Sequence, residues 1–242
     1  MLLLSLEASG FRNLQGKITC AAGLNILVGE NGQGKTNWLE AIALVASTRS
    51  FRTTKLHEAV RFGEQLAIVS GNVEESPEIT RKLQVSIQGN TKSLTVNDKK
   101  ETVQRYLGQL HAVVFNADEL EIVRGHPDSR RRFLDAGIVS LHPPFIQTFT
   151  DYSRVIKQKN ALLQRARDEE SSTEKTAEML APWNEQLATL ASRIHRARVR
   201  FVERINGVLE KQLFGREELS IRYVSSLEGK GDLEDYEALI TE

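Results

Sequence analysis

The sequence predicts an α/β fold in which a strand-rich first half gives way to a long helical arm, on three observations. A short apolar run, Leu24 to Val28, enters a glycine-rich segment and leaves it into a helix-period stretch, Asn37 to Val45. Alternating runs such as Leu66 to Val73 and Leu83 to Gln88 read as antiparallel strands. From Phe145 to Ile205, apolar residues recur at threes and fours, the period of helices packed along one seam.

The glycine-rich segment is Gly29-Glu30-Asn31-Gly32-Gln33-Gly34-Lys35-Thr36, which fits the phosphate-loop pattern G-x-x-x-x-G-K-[ST]. Gly29, Gly32 and Gly34 let the backbone turn its N–H groups inward around phosphate oxygens. Lys35 reaches the β- and γ-phosphates as a point charge, and the Thr36 hydroxyl is placed to ligate Mg²⁺. The following helix aims its positive end at the same anion, with Trp38, Ile42 and Val45 on one face. The segment therefore predicts binding of a nucleotide.

Composition sets bounds. At 242 residues the chain holds one large domain or two small ones. Its 32 basic and 32 acidic side chains balance, so any nucleic-acid or membrane surface must be local. The single cysteine, Cys20, excludes an intramolecular disulfide framework and reads as core filler. No apolar run approaches membrane-spanning length, and the expectation is a cytoplasmic, soluble protein.

Taken in order, Leu2 to Ala8 is a strand turned at Gly10 to Asn13, with Lys17 to Cys20 as its hairpin partner. After the loop and helix, Ser47 to Thr53 is a polar, arginine-bearing loop. The strands Leu66 to Val73 and Leu83 to Gln88 flank a loop from Glu74 to Arg81. Leu94 to Asp98 is a strand and turn, Thr102 to Leu107 a short helix, and His111 to Phe115 a buried strand. Pro127 and Asp128 open a helix, and Pro143-Pro144 end it and start another. That helix carries Phe149, Tyr152, Ile156 and Leu163 to about Arg167. A charged turn, Asp168 to Thr173, leads to a long helix with Trp183, Leu187, Leu190, Ile194, Ala197, Phe201 and Ile205 on one seam. The two form an antiparallel hairpin, after which Leu219 to Val224 regains strand character.

Other constellations are weaker. Asp118-Glu119 follows Val113-Val114-Phe115, but Asn116-Ala117 intervenes, so the pair reads as a loop or cap rather than the acidic strand end of a hydrolysing site. Ser226-Leu227-Glu228-Gly229 reads as a loop. Arg49 and Arg52 lie just past the phosphate-loop helix, near enough for nucleotide or a partner's phosphates. Arg130, Arg131 and Arg132, with Arg124 and His126, are either a phosphate-backbone contact or a solvated helix start. The same alternatives hold for Arg193, Arg196, Arg198, Arg200 and Arg204. His57, His111, His142 and His195 have no metal-ligand spacing.

Several pieces together resemble one family. Phe11-Arg12-Asn13 follows the first strand; the phosphate loop runs into Asn37, Leu39-Glu40-Ala41-Ile42 and then Ser50-Phe51-Arg52. Further on come Asp118 to Val123, Gly125, Pro127, Arg130-Arg131-Arg132-Phe133-Leu134-Asp135, Lys157 to Asn160 and Trp183 to Leu187. These blocks are similar to the RecF family of bacterial DNA repair and replication ATPases. The resemblance implies an α/β P-loop NTPase head of ABC/SMC type with an α-helical arm. It implies ATP and Mg²⁺ as cofactors, with residues Gly29 to Thr36 as the nucleotide-binding segment and Thr36 on the metal. It further implies binding to single-stranded or gapped DNA, a homodimer formed around ATP, and work with RecO and RecR in loading RecA and supporting the SOS response, with no membrane partner. Family members continue past the arm into a signature segment and a Walker B strand that this chain does not contain, so the expectation is an incomplete head with uncertain turnover. The divisions expected are 1–126 for the head, 127–217 for the arm and 218–242 for a return toward the head. The rivals are another SMC-like ATPase, such as an OLD-type nuclease, and a non-catalytic nucleotide-binding scaffold.

Overall fold

The computed structural model describes residues 1–170, 172–210, 218–231 and 235–241. The chain divides into two compact units, Met1–Leu120 and Glu121–Glu242.

The first unit is a six-stranded antiparallel sheet in the order β2-β1-β3-β4-β5-β6. Its strands are β1 (Leu2–Phe11), β2 (Leu14–Thr19), β3 (Leu66–Ser76), β4 (Ile79–Gln88), β5 (Thr91–Val96) and β6 (Lys99–Glu101). Period-two alternation sends Leu6 and Ala8, Ala67, Val69 and Val73, Leu83, Val85 and Ile87, and Leu94 to one buried face. Helix α1 (Lys35–Ser47) covers that face with Ala41, Leu44 and Val45, while Trp38 and Ile42 pack at its edge. Gly71 on β3 permits the close approach: a Cβ there would lie 3.1 Å from Leu3 Cδ1 and 3.4 Å from Val45 Cγ1. A short helix, α2 (Val103–Tyr106), starts where the Thr102 side chain accepts from the Arg105 N–H.

The second unit is helical: α3 (Glu121–Arg124), α4 (Pro127–Leu141), α5 (Phe145–Asp168), α6 (Thr173–Leu209) and α7 (Tyr236–Thr241). Pro127 sits in the first turn of α4, as the sequence suggests. The expected turn into α6 holds; Ser171 within it lies outside the described residues. On α6 the buried residues are Leu180, Ala188, Ser192, Ile194, His195 and Val202, a broader face than a two-helix seam. The breadth follows from α4, α5 and α7 all packing on α6. His195 stacks on Tyr236, ring centroids 3.9 Å apart, and meets Tyr223 at 5.5 Å.

Four expected elements differ. Glu74 to Arg81 is not a loop: β3 and β4 pair through Ser76↔Ile79, so only Pro77-Glu78 turns the hairpin. Leu24 to Val28 is extended but is no strand, and Leu24, Ile26 and Val28 are exposed. His111 to Phe115 is likewise unpaired, with Val113 and Phe115 exposed. Apolar content favours burial, yet a strand also needs a neighbour's N–H and C=O groups, and among the described residues neither segment has one. Leu219 to Val224 is also no strand. There the Asn206 side chain replaces a partner strand, donating to Ile221 O and accepting from Ile221 N, each at 2.8 Å.

Candidate functional site: the phosphate loop and its supports

Residues Gly29 to Gln33 form an exposed loop that passes through buried Gly34 into α1 at Lys35. Gly32 and Gly34 have φ of 86° and 94°, conformations in which a side chain is strained. Gly34 serves as the N-cap, with no side-chain cap and no acidic residue in the first turn of α1. The helix thus presents its positive end and its unpaired first-turn N–H groups outward. Lys35 Nζ folds back into the loop, 2.7 Å from Gly29 O and 2.8 Å from Glu30 O. Gln33 closes the loop from within: its Oε1 accepts from Glu30 N at 3.0 Å. Thr36 is exposed at the same end of the helix. A cation held among carbonyls, an uncapped helix end and glycines with positive φ together fit a polyphosphate.

Behind the loop lies a polar network that spacing alone does not reveal. The β1–β2 turn puts Arg12 at φ 51°. Its guanidinium meets Glu40 on α1 twice, Nε to Oε2 at 3.1 Å and Nη2 to Oε1 at 2.8 Å. Glu40 is fully buried and also accepts from Ser50 Oγ at 2.6 Å. Arg52 Nη1 donates to Asn37 Oδ1 at 2.6 Å and lies 3.5 Å from Glu40 Oε2. Asn37 Nδ2 donates to Asn13 Oδ1 at 2.7 Å, and Asn13 Nδ2 donates to Gly32 O at 3.0 Å. The signal for these residues was their presence in the family-like blocks Phe11-Arg12-Asn13, Asn37 to Ile42 and Ser50-Phe51-Arg52.

The structure separates arginines that the sequence groups. Arg52 returns toward the loop end of α1. Arg49 stays at the far end, where it lowers the pKa of Lys92. Lys92 donates to Thr48 O and Thr48 Oγ1 at 2.7 and 3.0 Å, and burial with Arg49 brings its pKa down to about 8. In the second unit, Arg198 is bound by Asp135 at 2.8 and 2.9 Å, whereas Arg193, Arg196, Arg200 and Arg204 are exposed. Arg130 donates to Gly125 O, Arg131 pairs with Asp128, and all three arginines from 130 to 132 are exposed. Asp118-Glu119 falls in a 3₁₀ turn, Ala117–Leu120, and Ser226 to Gly229 is a turn, as read from the sequence. Cys20 is half-buried, and burial raises its thiol pKa. No group of three or more His, Cys, Asp or Glu suited to a metal occurs among the described residues, and no described helix is long and apolar enough to cross a membrane.

A family model described as AAA domain matches residues 5–197. The chain belongs to the AAA domain family. It is also similar to curated relatives described as DNA replication and repair protein RecF. One, from Synechococcus sp. (strain JA-3-3Ab), is 40% identical over 220 residues, covering 88% of this chain and 57% of the relative. Another, from Geobacter sp. (strain M21), is 35% identical over 213 residues, covering 87% and 56%. Among solved structures, the recombination mediator protein RecF-ATPrS of the RecFOR pathway matches with a TM-score of 0.87 at 28% identity, over 99% of this chain and 66% of that one. The corresponding RecF-ATP structure matches at a TM-score of 0.84. The resemblance to RecF and the α/β P-loop ATPase class expected from the sequence are thereby shown. The chain spans little more than half the length of these two curated relatives.

Proposed function

We propose that Gly29 to Thr36 bind ATP with Mg²⁺, and that the chain serves ATP-dependent DNA binding in recombinational repair and replication restart. The observation that carries the reading is Lys35 Nζ, held against Gly29 O and Glu30 O at the uncapped start of α1. An arriving phosphate gives that ammonium an anion in place of two neutral carbonyls, while the first-turn N–H groups supply directional donors. The Thr36 hydroxyl is the chain's ligand for the metal, which spreads the phosphate charge when bound. Arg52, tied to Asn37 one residue beyond Thr36, adds positive charge beside the loop.

By the same reading, the protein acts on single-stranded or gapped DNA in the cytoplasm, works with RecO and RecR to load RecA, supports the SOS response and dimerises around ATP. Similarity to RecF relatives supports this. Turnover by this chain is expected to be slow. The loop offers a cradle and a metal ligand, whereas phosphoryl transfer also needs a group that orients the attacking water.

The test is calorimetric titration of Mg-ATP into the chain and into Lys35→Ala, with circular dichroism as the folding check. Lys35 is on the surface of the site and makes no core contact, so the variant is expected to fold normally and to lose most of its affinity. Equal affinity in both proteins would overturn the ATP site. For DNA, replacing each of Arg130, Arg131 and Arg132 by alanine is expected to lower the log–log salt slope by about one unit per phosphate contact. An unchanged slope in the triple variant would return these residues to a solvated helix start.

A further inference from the structure

We propose that Asn13, at the tip of the β1–β2 hairpin, is a positioning residue that fixes the phosphate loop in its nucleotide-accepting form. The inference rests on the ATP site proposed above and names a residue outside the G-x-x-x-x-G-K-[ST] segment on which that site depends.

Three observations carry it. First, the Asn13 amide joins both sides of the site: Nδ2 donates to Gly32 O in the loop at 3.0 Å, and Oδ1 accepts from Asn37 on the first turns of α1 at 2.7 Å. Second, a trans peptide sets its C=O and N–H on opposite sides. Drawing the Gly32 carbonyl out toward Asn13 therefore turns the Gln33 N–H the other way, across the loop, where it lies 3.4 Å from Glu30 O. That long contact leaves the N–H readily transferred to a phosphate oxygen. Third, the space beside Gly34 is filled by Asn13 itself: a Cβ on Gly34 would lie 2.6 Å from Asn13 Oδ1. The asparagine thus packs on the residue that starts α1.

The hairpin tip is held firmly enough to act as a reference point. Arg12 N donates to Ala59 O at 2.8 Å, and Arg61 donates to Arg12 O and Leu14 O at 3.2 and 2.7 Å. The Arg12 side chain is locked to buried Glu40. Asn13 therefore transmits the position of the sheet to the loop, and the loop's glycines keep only the freedom that the amide leaves them. From Asn37 the chain of bonds continues to Arg52. A shift of Gly32 on binding phosphate has a direct route to that guanidinium.

The experiment compares Mg-ATP binding by the chain with Asn13→Ala, Asn13→Asp, Asn37→Ala and the Asn13→Ala/Asn37→Ala pair, using calorimetry, with thermal melting of the nucleotide-free proteins alongside. Asn13→Ala is expected to weaken ATP binding about three- to tenfold, the net worth of a hydrogen bond of this kind. Asn13→Asp keeps the volume and the acceptor but loses the donor to Gly32 O and adds a negative charge. It should bind ATP more weakly than Asn13→Ala, with a greater loss for ATP than for ADP. The double variant should lose less than the product of the two single losses, because the pair shares one bond. A residue that merely packs against Gly34 would let the Asn13→Ala and Asn37→Ala losses multiply in full in the double variant, and that result would overturn the inference. So would unchanged affinity in Asn13→Ala while Lys35→Ala abolishes binding, and in that case the ATP site itself stands. Failure of the parent chain to bind ATP would overturn both.

Discussion

Replacing Glu40 by glutamine removes a charge from the best-enclosed polar group behind the phosphate loop. Glu40 is 0% exposed and accepts two bonds from Arg12, whose side chain is 18% exposed, and a third from Ser50 Oγ. Glutamine keeps the volume. It turns one acceptor oxygen into a donor that faces the Arg12 guanidinium, so a buried cation loses its counter-charge and one partner. Breaking a buried pair in this way costs about 3–5 kcal/mol, and the partial exposure of Arg12 favours the lower end, roughly 3 kcal/mol. For a unit of this size that is a fall of about 10–15 °C in Tm. Trp38 lies on α1 and Trp183 in the other unit. Urea unfolding followed by Trp38 fluorescence in a Trp183→Phe background therefore reads the first unit. The expected result is a lower midpoint with an unchanged m-value. An Arg12→Met/Glu40→Leu variant should recover part of that loss, since apolar replacement of both partners is often neutral, but not all of it, because Ser50 Oγ and Arg52 lose their acceptor. A Glu40→Gln midpoint within about 0.5 kcal/mol of the parent would refute the reasoning, because surface substitutions already do as little.

Gly10 and Gly89 have similar φ, 63° and 56°, but only at Gly10 would a Cβ meet backbone, 2.3 Å from Leu66 O. Gly89→Ala should cost about 1–2 kcal/mol for its left-handed backbone, and Gly10→Ala at least about 2 kcal/mol more for overpacking; equal losses in urea unfolding would remove the clash as the cause. Lys92 has a folded pKa lowered to about 8 against 10.5 when unfolded. The unfolded chain thus binds more protons between those values, and the cost of charging Lys92 is full below pH 8 and lifted as pH rises toward 10.5. Stability relative to Lys92→Met should rise across that window by roughly 3 kcal/mol at most, and parallel pH curves for the two proteins would refute it. Arg198→Met should lower the second unit's midpoint, read by Trp183 in a Trp38→Phe background, by about 1.5–3 kcal/mol for bonds to a charged partner. An unmoved midpoint would mean that the Asp135–Arg198 pair contributes nothing.

The phosphate loop, the start of α4 at Pro127 and the break at Pro143-Pro144 were legible in the residues because their causes are local. Glycine spacing sets where φ can turn positive, proline removes one N–H and holds φ, and helical period marks a face. Leu24 to Val28, His111 to Phe115 and Leu219 to Val224 all carry the residues of strands. Pairing is a property of two segments, however, and only the tertiary structure says whether the second is there. Side-chain partners follow the same rule. Nothing near Glu40 in sequence marks it as buried, because its counter-charge comes from Arg12, 28 residues earlier, in the β1–β2 turn. Arg49 and Arg52 look alike in one short loop, yet the fold leaves one beside Lys92 and turns the other back to Asn37. Sequence determined which backbone conformations were available, and tertiary structure decided which polar groups met, since water or a distant partner satisfies a charge equally well until the chain has folded.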